Sequence, residues 1–117
     1  MKNALILFTF CNLILAQAFA GNNVLQHSRI AVAGEIIKKC NIHLSSREHH
    51  HYQDKLSQAR KQALEDIKNS LHLTDKMELE TLFNSYQLSF ERHANQIILN
   101  QGCQSENVIN YIARYLN

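Results

Sequence analysis

Residues 45–71 read SSREHHHYQDKLSQARKQALEDIKNSL, and they decide the fold. Tyr52, Leu56, Ala59, Ala63, Ile67 and Leu71 recur at steps of three and four, the spacing that gathers apolar side chains on one side of an α-helix. Ser45 and Glu48 stand where a capping box opens such a helix. The hydroxyl accepts from the N–H of Glu48, whose carboxylate reaches back to the N–H of Ser45.

The same spacing continues on both sides. Upstream, Ile30, Ala33, Ile37, Cys40 and Leu44, widened by Val32 and Ile36, predict a first helix over Asn23–Ile42. Downstream, Asn69-Ser70 and Thr74-Asp75 mark a break, and Asp75 with Glu78 offers a second capping box. The third helix then carries Leu79, Phe83, Tyr86, Phe90, Ala94 and Ile97, with Leu82 and Ile98 beside them, up to a stop at Gly102. Ser105 caps a short fourth helix whose apolar positions are Val108, Ile109, Ile112 and Leu116. Short connections between long helices favour antiparallel neighbours, so the expected fold is all-α, a small up-down-up-down four-helix bundle.

Composition agrees. The chain has 117 residues, no proline and three glycines, which removes the punctuation that a many-turned β-sandwich needs. A length of this order holds one domain, and a 45% hydrophobic share is enough for a core.

The first twenty residues differ in character. Lys2 precedes a hydrophobic run from Ala4 to Leu15, and Ala18-Phe19-Ala20 offers a cleavage signal before Gly21. The expected organisation is a signal peptide over 1–20 and a single helical domain over 21–117, exported to a periplasm or the extracellular space. Asn12 and Gln17 interrupt a run already too short to span a bilayer, so no stable membrane anchor is expected after cleavage. Removing the leader takes Lys2 with it and leaves 11 basic against 10 acidic residues. That balance lacks the basic footprint a nucleic-acid binder needs. Cys11 departs with the leader, leaving Cys40 and Cys103 as an even pair in an oxidising compartment. Both stand at ends of helices that meet at one end of the bundle, so the expectation is one intramolecular disulfide.

Seven histidines are the other unusual feature. His43, His49, His50, His51 and Asp54 fall near that same bundle end, and neutral imidazoles ligate Zn or Cu. Three consecutive helical residues point about 100° apart and cannot all face one ion, so His50 with Asp54 is the only i,i+4 ligand pair in the run. Neither an H-E-x-x-H nor a C-x-x-C-H motif occurs, and no nucleophile elbow or phosphate-binding glycine loop. No cofactor is required by any motif, and an enzyme is not expected.

What remains is a protein-binding module, such as an inhibitor, an immunity-type protein or an accessory subunit. Its candidate anchors are Leu88 and Leu99, off the main stripe of the third helix, with Tyr111 and Tyr115 on the fourth. The alternative is a metal-binding or pH-responsive envelope protein using the histidine end. A carrier of an apolar ligand between the helices, and a homodimer through the short last helix, are the further readings.

Overall fold

A computed structural model describes residues 22–72 and 75–117, so the leader expected over 1–20 lies outside the described residues. Four helices follow in order: α1 (Asn22–Lys39), α2 (Ser46–Leu71), α3 (Lys76–Gln101) and α4 (Glu106–Ala113), with no strand among the described residues.

The helix ends show why the chain folds this way. α1 stops three residues earlier than the apolar spacing suggests. Asn41 adopts a left-handed conformation (φ 53°), Ile42 N–H donates to Ile37 O, and Asn41 N–H donates to Lys38 O. This is a Schellman stop with asparagine in the place that glycine usually takes. α2 opens on the expected box: Glu48 N–H donates to Ser45 Oγ at 3.1 Å, and Ser45 N–H donates to Glu48 Oε1 at 3.0 Å. Those bonds hold the Glu48 carboxyl below its usual pKa, the backbone N–H first and the hydroxyl second. The helix runs through Asn69 and Ser70 to Leu71 rather than breaking there, and His72 closes it in a left-handed conformation.

α3 begins at Asp75, but without the expected box. The Asp75 carboxylate accepts from Met77 N–H at 2.9 Å, one position short of Glu78. Gly102 ends this helix at φ 83°, a conformation open to glycine, and returns its N–H to Ile98 O. Ser105 Oγ accepts from Val108 N–H to start α4.

The packing fixes the topology. Cys40 and Cys103 form a disulfide with Cα atoms 5.6 Å apart, so α1 and α3 end at the same place. At the other end Val24 of α1 clusters with Ala63 and Ile67 of late α2 and Phe83 of early α3. α2 therefore runs against α1, and α3 runs with it. α4 leaves the disulfide end and places Tyr111 against Arg29 O of α1, which makes it antiparallel to α1. The fold is the up-down-up-down bundle, flattened to 42 × 41 × 20 Å.

α1 packs against all three other helices and lies most closely against α2. Two tyrosines grip adjacent carbonyls on it. Tyr52 Oη of α2 donates to Ile30 O at 2.9 Å, and Tyr111 Oη of α4 donates to Arg29 O. The first approach is so close that a Cβ on Gly34 would lie 1.9 Å from Tyr52 Oη, so glycine is required there by space rather than by conformation. Burial, with the nearby Glu35 charge behind it, raises the Tyr52 hydroxyl to about 12. Lys55 Nζ donates to the main-chain oxygens of Arg114 and Asn117, placing a cation beyond the last turn of α4.

A large cluster joins Ile30, Val32, Ala33 and Ile36 of α1 to Tyr52 and Ala59, Phe90 and Ala94, and Val108 and Ile112. A smaller one gathers around Phe83 at the far end, beyond the reach of the eight-residue α4.

Candidate functional site

The predicted disulfide residues, Cys40 and Cys103, are joined. The histidine end is looser than its sequence suggests. His43 and His49 line one shallow depression of about 360 Å³ with Ile37, Ile42, Leu44 and Ser45. His50 and Asp54 are exposed elsewhere on the helix turn, and His51 is half-buried. Among the described residues, no three histidine, cysteine or acidic side chains converge on a metal-sized site.

The four partner-binding candidates separate into two kinds. Leu88 and Leu99 are 62% and 84% exposed on α3. Tyr115, by contrast, is buried. After α4 the chain tightens, with Tyr115 N–H donating to Ile112 O, and the ring turns into the core against Tyr111 at 5.6 Å, edge to face. Its reading as an exposed anchor is corrected accordingly. Tyr111 is half-buried, with its hydroxyl spent on Arg29 O, and burial pushes its pKa well above the usual tyrosine value. Ile109, expected to pack with Val108 and Ile112, is 53% exposed. α4 has neighbours on one side only, and Ile109 lies about 100° round the helix from Val108.

Sequence spacing missed a third exposed residue in line with Leu88 and Leu99. Met77 is 76% exposed, and 77, 88 and 99 are separated by eleven residues each. Eleven residues make just over three helical turns, so these side chains form one row about 33 Å long on the outer face of α3. Between them on the same line stand Thr81, Asn84, Arg92 and Asn95, with Glu80 and Glu91 one step to the side. Beside Met77 a depression of about 480 Å³ opens, lined by Glu78, Thr81, Leu82 and Ser85.

The structure also reveals a cleft where α1, α2 and α3 meet, about 260 Å³ in volume. Its floor is His27, which is only 5% exposed. The imidazole lies 4.7 Å from the Phe83 ring and 5.6 Å from Phe90, so it bridges the two apolar clusters. No hydrogen bond joins the ring to another described residue, yet no nitrogen is sealed away: the cleft reaches it. Burial, and then the nearby Arg60 cation, lowers its pKa to about 4, so the ring is neutral at physiological pH. The Arg60 guanidinium lies over Phe83 at 5.2 Å. Across the cleft, Glu35 Oε1 accepts from Gln87 Nε2 at 3.0 Å. One sequence signal pointed here: the α1 stripe extended backwards by three residues from Ile30 lands on His27.

Comparison with models of known protein families, with curated proteins and with solved structures finds no match to this chain.

Proposed function

We propose that the protein is a small exported helical module that binds a partner protein through the outer face of α3. The observation that carries this reading is the row Met77, Leu88 and Leu99, three large apolar side chains held in water on one line of one helix. Isolated surface leucines are ordinary, but three large apolar side chains in one row, methionine among them, resemble an interface centre, where methionine is enriched. The depression beside Met77 gives a partner's side chain somewhere to lodge. The role is one of binding rather than catalysis. Export is supported by the disulfide, which persists in oxidising compartments, and no helix among the described residues is long and apolar enough to cross a membrane.

The test is affinity capture from host and neighbour-cell extracts with oxidised protein, run beside a Leu88→Asp/Leu99→Asp variant. One stoichiometric protein should be retained by the wild type and lost by the variant, with the variant's helical circular dichroism unchanged. Equal capture by both would refute the assignment of this face. Self-association detected by sedimentation, and lost in the variant, would instead make the row a homodimer contact.

A second reading has one observation behind it: His43 and His49 share a depression at the disulfide end. Two imidazoles supply half of a tetrahedral zinc site, so this reading predicts zinc binding that His43→Ala/His49→Ala abolishes. Unchanged zinc affinity in that variant would remove it.

A further inference from the structure

We propose that the cleft between α1, α2 and α3 binds a small zwitterion, an α-amino acid with an apolar or aromatic side chain. The site is independent of the α3 outer row. Two opposite charges line this one cleft, and each is held by an uncharged partner. Arg60 rests on the face of Phe83, and Glu35 takes its hydrogen bond from the Gln87 amide. Arg60 and Glu35 both stand on the cleft walls. A molecule carrying a carboxylate and an ammonium group a short distance apart satisfies both, with the carboxylate on the guanidinium and the ammonium on the free Glu35 oxygen.

The floor points the same way. His27 is an almost fully buried polar group whose only open direction is the cleft, and it is neutral, so it offers one donor and one acceptor without favouring either charge. The rings of Phe83 and Phe90 around it supply the apolar surface for the ligand's side chain. The volume, near 260 Å³, falls just below the roughly 300–1,000 Å³ of sites for drug-sized molecules, which sets the ligand at metabolite size.

The decisive experiment titrates oxidised protein with L-phenylalanine, with L-phenylalanine amide, which lacks the carboxylate, and with 3-phenylpropionate, which lacks the amine. Calorimetry gives the affinity, and NMR of the His27 ring gives the location. The full amino acid should bind at least about tenfold more tightly than either analogue. Arg60→Gln should erase its advantage over the amide while keeping its advantage over the acid, and Glu35→Gln should do the reverse. Both changes are at the cleft rim, so a preserved thermal transition shows that the fold is intact. No binding of L-phenylalanine, equal binding of all three molecules, or binding indifferent to both substitutions would each overturn the proposal.

Discussion

Replacing His27 by glutamine should remove a specific portion of the acid sensitivity of this fold. In the native protein the ring titrates near 4, whereas in the unfolded chain it takes the ordinary value of 6.5. Between those values the unfolded chain holds a proton that the native one refuses, so stability falls as pH drops. The contribution is fully present above about pH 6.5 and exhausted below about pH 4. A difference of about 2.5 pKa units corresponds to about 3.4 kcal/mol at the usual 1.36 kcal/mol per unit. Because the ring opens on a solvent-reaching cleft, screening reduces this to about 2 kcal/mol. Urea denaturation of wild type and His27→Gln at about pH 7.5 and about pH 4.5 isolates the effect as a difference of differences. The wild type should lose about 1.5 kcal/mol more than the variant across that interval, which covers about three quarters of the titration. All other histidines are common to both proteins and cancel. Equal losses would refute the picture of a buried neutral imidazole.

Other substitutions test the framework. Gly34→Ala, which in an open helix would stabilise by about 1 kcal/mol, should here destabilise by about 2, because the new Cβ displaces Tyr52 Oη from Ile30 O. Combining it with Tyr52→Phe should cost less than the sum of the single changes, as thermal melts of the four proteins would show. Cys40→Ala/Cys103→Ala should lower stability by up to about 4 kcal/mol, since the bridge spans 63 residues of sequence, and the loss should appear in the urea midpoint. Ile112→Ala should cost about 2–4 kcal/mol, whereas Ile109→Ser should stay within about 0.5, a contrast that equilibrium unfolding resolves.

What could be read from the sequence was local or periodic. Ser45 and Glu48 announced α2 because both halves of their bond lie within four residues. The stripes of α2 and α3 were legible because a helix buries one side at a fixed period, and the disulfide followed from counting cysteines. The errors arose where a single residue or a distant partner decides. The left-handed turn at Asn41 ended α1 early, and asparagine carries that signal more weakly than glycine. Asp75 chose the Met77 N–H over a box with Glu78. Tyr115 reads as an exposed anchor from its aromatic residue type alone, whereas the tightened turn after α4 buries its ring. The cleft was legible only at His27, on the extended α1 stripe: Glu35, Arg60 and Gln87 come from three helices, and no period relates them.

His27 also separates a site from a packing compromise. An imidazole between two phenylalanines is a poor choice for stability alone, because desolvating its ring costs free energy that an apolar side chain does not incur, even with its nitrogens reached by the cleft. If the histidine is held for the cleft, His27→Phe should raise stability near neutral pH by about 1 kcal/mol and flatten its acid dependence, while weakening amino-acid binding. Natural proteins accept such local costs where a ligand must be met. A His27→Phe protein that is less stable at neutral pH would show instead that the imidazole serves the fold, and the case for the cleft would then rest on Arg60 and Glu35 alone.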